Sequence, residues 1–142
     1  MTVEEPEARV QRYLYQYIPL SAAMGVQVRT ASAEFVKLAA PLRPNVNHTE
    51  TVFGGSAAAL ATLSAWTLLH LRLENAGLDA RLVIQRSRME YEKPIPAAPM
   101  LQLTAMVHTG TEGDSAAATP MIPTVMHAKP SRTNTRGPHR CT

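Results

Sequence analysis

The sequence predicts an α+β domain in which an antiparallel sheet wraps one long central helix. Three observations lead there. From about Gly55 to Asn75 the chain is apolar on nearly every side, and a helix of that kind has to be enclosed by other structure. Before it, Val26 to Leu42 reads as a hairpin, and after it Ala80 to Tyr91 and Met100 to Val107 read as strands. Prolines and glycines fall at the ends of these segments or between them.

Each element has its own signal. Pro6 opens a helical pattern through Val10, Tyr13, Leu14 and Ile18, with glutamates in the first turn where the helix dipole favours them. It must end before Pro19, because the residue preceding a proline is pushed out of the α region. Leu20 to Met24 is a short apolar connector broken by Gly25. In the hairpin, Val26 and Val28 alternate with Gln27 and Arg29. Phe35, Val36, Leu38 and Ala39 supply the second arm, and Ser32-Ala33-Glu34 the turn. Pro41 and Pro44 stop the sheet. In the central helix, small residues from Ser56 to Ala65 let strands approach closely, Leu60, Leu63, Leu68, Leu69 and Leu71 fill volume, and Gly77 is the C-terminal stop. Arg86, Arg88 and Glu90 alternate with Ser87, Met89 and Tyr91 before Pro94 and Pro96. From His108 onward periodicity is lost. That stretch has four prolines, seven threonines and no aromatic residue. It is expected to be irregular or disordered, giving a domain over 1–107 and a tail over 108–142.

Composition narrows the function classes. The 142 residues suffice for one core. The net charge of +3 gathers towards the tail, so the basic balance does not form a nucleic-acid surface, and no basic cluster is interleaved with stacking aromatics. The lone cysteine, Cys141, excludes an internal disulfide framework and a cysteine zinc cluster, and its setting is that of an exposed tail thiol. The acidic N-terminus has no apolar signal core, and the run Ala57 to Leu71 is too short and too interrupted to span a bilayer. The expectation is a cytoplasmic protein without membrane or nucleic-acid partners and without a metal. Asn47-His48-Thr49 matches a glycosylation sequon, which in that setting reads as chance.

The polar loop from Asn45 runs into Gly54-Gly55-Ser56 at the helix start, where unsatisfied N–H groups and the dipole make an electropositive point. Glycine there serves either close ligand approach or tight packing of a plain helix start.

The blocks Ile18-Pro19-Leu20, Met24-Gly25-Val26, Pro44-Asn45-Val46-Asn47, Thr51-Val52-Phe53-Gly54-Gly55-Ser56 and Leu63-Ser64-Ala65-Trp66 resemble the thioesterase domain of the YiiD C-terminal type, within the hotdog fold. The resemblance covers about Val10 to Val107. It implies an acyl-thioester substrate, carried on coenzyme A or acyl carrier protein, in the setting of fatty-acid metabolism. It also implies a homodimer or dimer of dimers, and no cofactor beyond the coenzyme A or phosphopantetheine of the substrate. Two departures stand out. Related phenylacetyl-CoA-type enzymes carry a helical Asp where this chain has Thr62, and a His where it has Phe53. The family also continues with strands that complete the sheet, whereas the sequence after Val107 is rich in Thr and Pro. An aberrant C-terminus lacking the last strands, as from a frameshift, is the expectation.

In this reading the candidate catalytic set is Asn45, Asn47, Glu50, Gly54, Gly55 and Ser56. The N–H groups of the glycines and serine would hold the oxyanion of a hydrolysed thioester. Asn45 and Asn47 either orient water or substrate, or shape the loop. Glu50 is either the general base or a solvated charge. Candidate substrate contacts are His48, Thr51, Phe53, Thr62, Arg86 and Arg88. The two arginines would face a phosphate of the pantetheine carrier or else form a solvated strand face. His70 lies about four turns from the glycines, beyond reach of their site. Malonyl-thioester decarboxylation at the same oxyanion site, and non-catalytic carrier binding as a scaffold, are the alternatives.

Overall fold

Proline sets both ends of the first helix. The structure, a computed structural model, describes residues 4–96 and the main chain of 100–106. Helix α1 spans Pro6–Tyr17, with Pro6 in its first turn, and stops before Pro19 as expected. Val10 and Leu14, one turn apart, are its buried positions. The apolar connector that follows is itself a short helix, α2, Pro19–Ala23, because Pro19 is preset for a first helical position.

Strands β1 (Gln27–Ala31) and β2 (Phe35–Pro41) form the expected hairpin around Ser32-Ala33-Glu34. The Ser32 hydroxyl holds the turn by accepting from the N–H groups of Glu34 and Phe35. Strand β3, Met100–Met106, pairs antiparallel with the other side of β2, from Phe35 opposite Met106 to Pro41 opposite Met100. The sheet order is β1-β2-β3. Val36, Leu38 and Ala40 alternate along β2 and are fully buried.

Helix α3, Gly54–Asn75, lies against β2 and β3. Its buried residues run from Ala57 to Leu71 and include Leu60, Leu63, Ala65, Thr67 and Leu68. At 100° per residue they occupy roughly 200° of the helix circumference, about twice the apolar stripe of a surface helix. Ser64 and Thr67, buried in that arc, donate to the Leu60 and Leu63 carbonyls one turn back. Gly77, at φ +67°, ends the helix. Its N–H bonds the Glu74 carbonyl while the Leu78 N–H bonds that of Leu73, a Schellman arrangement. Among the described residues no helix is long and apolar enough to cross a membrane.

One expected element is corrected. Ala80 to Tyr91 is not a strand but an extended, mostly exposed strap without ladder partners. Its alternation describes side-chain direction, whereas a strand also needs a ladder with a neighbouring strand, and this segment makes none with β1, β2 or β3. Three contacts fix the strap and its continuation. The Trp66 indole donates to the Leu82 carbonyl, the Tyr91 hydroxyl donates to that of Gly54, and the Val52 N–H donates to that of Ile95. Met89 and Ile95 pack against the core. The expected tail, its aberrant C-terminus and Cys141 lie outside the described residues.

The outer edge of β1 is covered by α1 through side chains spaced four apart. Tyr15 donates to the Val26 carbonyl (2.6 Å), Gln11 Oε1 accepts from the Val28 N–H (3.0 Å), and Glu7 Oε1 accepts from the Ala31 N–H (3.2 Å). Those groups would otherwise offer an open edge to another chain. The triple variant Glu7→Ala, Gln11→Ala, Tyr15→Phe is expected to lose about 2–4 kcal/mol, at roughly 1 kcal/mol or slightly more per bond. It should also self-associate with rising concentration. Urea denaturation and sedimentation velocity check both, and a monodisperse variant of unchanged stability contradicts the role.

Candidate functional site

The loop between β2 and α3 folds back on itself. A short 3-10 turn, Arg43–Asn45, leads in, Val46 and Val52 form a single antiparallel bridge, and the Phe53 N–H returns to the Asn45 carbonyl at 2.8 Å. At the tip the Glu50 N–H bonds the Asn47 carbonyl, and Glu50 takes a left-handed conformation, φ 61°.

The two asparagines organise this loop. Asn45 is 1% exposed, and its amide donates to the carbonyls of Met24 (2.9 Å) and Pro41 (2.8 Å). Its Oδ1 is buried without a partner among the described residues. Asn47 Oδ1 accepts from the Thr49 N–H, the Thr49 hydroxyl and the Thr51 N–H, while Nδ2 donates to Thr51 Oγ1 at 2.8 Å. Neither amide group is left free to donate to a ligand. Of the open alternatives for these residues, loop-shaping is the one with visible bonds, and Asn45 Oδ1 is the one side-chain atom it leaves over.

The helix start differs. Phe53 is the N-cap residue and provides no side-chain oxygen. The Ala57 N–H bonds the Phe53 carbonyl, whereas the N–H groups of Gly54, Gly55 and Ser56 have no partner among the described residues. They carry the positive end of a 22-residue helix, equivalent to about half an elementary charge. Two aromatic rings flank them. A Cβ on Gly55 would collide with the Phe53 ring, so glycine is what lets that ring lie over the first turn. A Cβ on Gly54 would sit 3.1 Å from the Tyr91 ring, and the Tyr91 hydroxyl donates to the Gly54 carbonyl at 3.1 Å. The place is open: Phe53 is 54% and Tyr91 59% exposed. A depression of about 530 Å³ lies elsewhere, between α1 and β1, lined by Glu7, Gln11, Arg12 and Tyr15.

The remaining candidates scatter. His48 and Glu50 are exposed on the loop, Thr51 is half-buried in the Asn47 network, and Ser56 is half-buried in the first turn. Thr62 is half-buried two turns along α3. Arg86 and Arg88 are exposed on the strap, Arg88 paired with Glu90 at 2.6 Å. His70 stacks between Tyr13 and Trp66, far along the helix from the glycines, with Glu74 3.5 Å from its Nε2. Tyr91 escaped the sequence reading as a site residue. It stands 37 positions from Gly54, and no local pattern links the two.

A long helix against an antiparallel sheet, with a glycine-rich loop at its start, defines the hotdog class. Solved structures match this arrangement over 71–77% of the chain. A protein of unknown function from Chlorobaculum tepidum matches with a TM-score of 0.66 at 22% identity, over 72% of this chain and 61% of that one. A "putative thioesterase" from Shewanella oneidensis gives 0.65 at 23%, over 71% and 73%. Thioesterase superfamily member 2 from Mus musculus gives 0.57 at 13%, over 77% and 79%. The chain thus covers less than two thirds of the first of these. Residues 7–119 match the family described as "Putative thioesterase (yiiD_Cterm)", and the chain belongs to that family. The matched span passes beyond Val107.

Removing the Asn45 amide leaves two carbonyls without their donor. Asn45→Ala is expected to cost about 2–4 kcal/mol in urea denaturation. Asn45→Asp should cost more, since it cannot donate as a carboxylate and places a charge where the amide is buried. An aspartate variant more stable than the alanine variant contradicts the clamp.

Proposed function

We propose that the protein is an acyl-thioester hydrolase, acting on acyl groups carried by coenzyme A or acyl carrier protein. The observation that carries this reading is the set of free N–H groups at Gly54, Gly55 and Ser56 in a thioesterase family member. The substrate carbonyl oxygen lies against these donors, which strengthen as it becomes an oxyanion. Water adds to the carbonyl carbon, giving up a proton to a base. The tetrahedral species then collapses, the carbon–sulfur bond breaks, and the thiol leaves with a proton. Glu50 is the proposed base and His48 the second ionisable side chain of the loop. Phe53, Thr51 and Thr62 are proposed along the acyl and pantetheine path, and Arg86 and Arg88 at a carrier phosphate. No cofactor beyond the carrier's own is required. A homodimer or dimer of dimers is the assembly the resemblance implies, and the cytoplasm is the proposed compartment.

A second reading has its own support. The only loop carboxylate, Glu50, is exposed at the tip, and both asparagine amides are engaged. Decarboxylation of a malonyl thioester needs an enolate stabiliser and no strong base. The bond from the carboxylate to the α carbon breaks, its electrons pass to the thioester enolate held by the same N–H groups, and solvent protonates the α carbon. The products are carbon dioxide and an acetyl thioester.

Gly55→Pro and Gly55→Ala separate the donor from its surroundings. Both add a Cβ that turns Phe53 aside, and only proline removes the N–H, at a position in the first helical turn that accepts proline. With short acyl-CoA, acyl-carrier and malonyl thioesters, Gly55→Pro should lower kcat by about 10²–10³-fold relative to Gly55→Ala. Equal rates for the two variants sink the oxyanion role. Carbon dioxide release from the malonyl thioester marks the second reading, and carrier binding without turnover marks a scaffold.

A further inference from the structure

Among the described residues the exposed Tyr91 side chain makes one polar contact, and it lands on a particular peptide group. Its hydroxyl donates to the Gly54 carbonyl at 3.1 Å, and its ring lies against the Gly54 Cα. That carbonyl and the Gly55 N–H belong to the same peptide unit. Electron density drawn towards the carbonyl oxygen leaves the N–H more positive, which is how chained hydrogen bonds strengthen one another. The Gly55 N–H is in turn free, in the first turn of α3. Asn45, whose main-chain carbonyl takes the Phe53 N–H, has a buried side-chain acceptor, Oδ1, without a partner among the described residues.

We propose that Tyr91 is a positioning residue of the thioester site: by donating to the Gly54 carbonyl it polarises the Gly55 N–H and holds the first turn of α3 in place for the substrate carbonyl. The inference rests on the hydrolase reading and adds to it a contact from the strap after α3. It also gives that strap a role that its lack of strand pairing leaves open. Among the described residues, neither Glu90 nor Glu92, the carboxylates next to Tyr91 in sequence, bonds the helix start. Glu90 is paired with Arg88.

The expected size follows from the geometry. Cooperative strengthening is about 10–30% of a bond, and a single oxyanion donor is worth about 10²–10³ in kcat. A contact of 3.1 Å is long for a hydroxyl donor, which places Tyr91 at the lower end, a loss of about 2–4-fold.

The test compares Tyr91→Phe and Tyr91→Ala in the full chain, each with thermal melting as a check of folding. Tyr91→Phe keeps the ring and loses the hydroxyl. It should move the Gly55 amide proton upfield in a nitrogen–proton correlation spectrum, leave amides from Leu60 onward in place, and lower kcat about 2–4-fold with KM unchanged. Tyr91→Ala should show the same loss in kcat together with a raised KM, because the wall beside Gly54 is gone. A purely structural tyrosine would give a lower melting temperature with the Gly55 resonance and kcat unchanged in Tyr91→Phe, and that result overturns the inference. If the wild-type chain hydrolyses none of the thioesters, the hydrolase reading falls. The Gly55 resonance then decides by itself: unmoved, it overturns the polarising contact; moved, it upholds it.

Discussion

Helix α3 has too much apolar circumference for one sheet to cover, and the remainder of the chain is arranged by that need. The sheet covers part of the buried arc that includes Leu60, Ala61, Ser64 and Leu68. On another side Trp66 and His70 stack with Tyr13 of α1. What is left falls to the strap after Gly77, held by the bond from Trp66 to Leu82 and the packing of Met89 and Ile95. Each fully buried Leu or Val contributes about 1.5–3 kcal/mol, against well under 1 kcal/mol for an exposed ion pair such as that of Arg9 with Glu74. Burial of α3 therefore decides the architecture, and the polar contacts decide how its covers are aligned.

Alignment is the work of main-chain groups that would otherwise lack partners. On one flank α1 offers Glu7, Gln11 and Tyr15 to the β1 edge, so a helix replaces a missing strand neighbour. On the other, the Asn45 amide ties the loop to Met24 and to the end of β2, which sets where Phe53 turns into the helix. Position 45 thus links the end of the sheet to the start of the helix. Its substitution would move the first turn even if Asn45 never touches a ligand.

Elements with a one-dimensional signal were legible from sequence. Pro6 and Pro19 bracket α1, Ser32 to Glu34 makes the hairpin turn, and Gly77 ends α3, because each depends on backbone preferences of a few adjacent residues. The strap was not. Arg86 to Tyr91 alternates as a strand does, yet pairing depends on an edge elsewhere in the fold, which no local pattern records. The loop was legible in outline only. Asn is as apt to bond its own backbone as a ligand, and only coordinates show that Asn47 bonds Thr49 and Thr51. Tyr91 at Gly54 is a contact of the tertiary fold alone.

The same division explains why the helix start is left with a row of unused donors, whereas the loop leaves over only Asn45 Oδ1 among the described side chains. Side chains of the loop can turn to satisfy one another, and Asn47, Thr49 and Thr51 do so. The first N–H groups of a helix cannot turn. They are fixed by the helix itself and can be satisfied only by a cap, by solvent or by a ligand. With Phe53 in the cap position the chain offers no oxygen there, and glycine at positions 54 and 55 keeps side-chain atoms off the turn while two rings close in beside it. A serine or aspartate at position 53 would have satisfied one of those donors and stabilised the helix by about 1 kcal/mol. The aromatic residue in its place leaves the donors open and puts an apolar ring next to them, at a cost in helix stability.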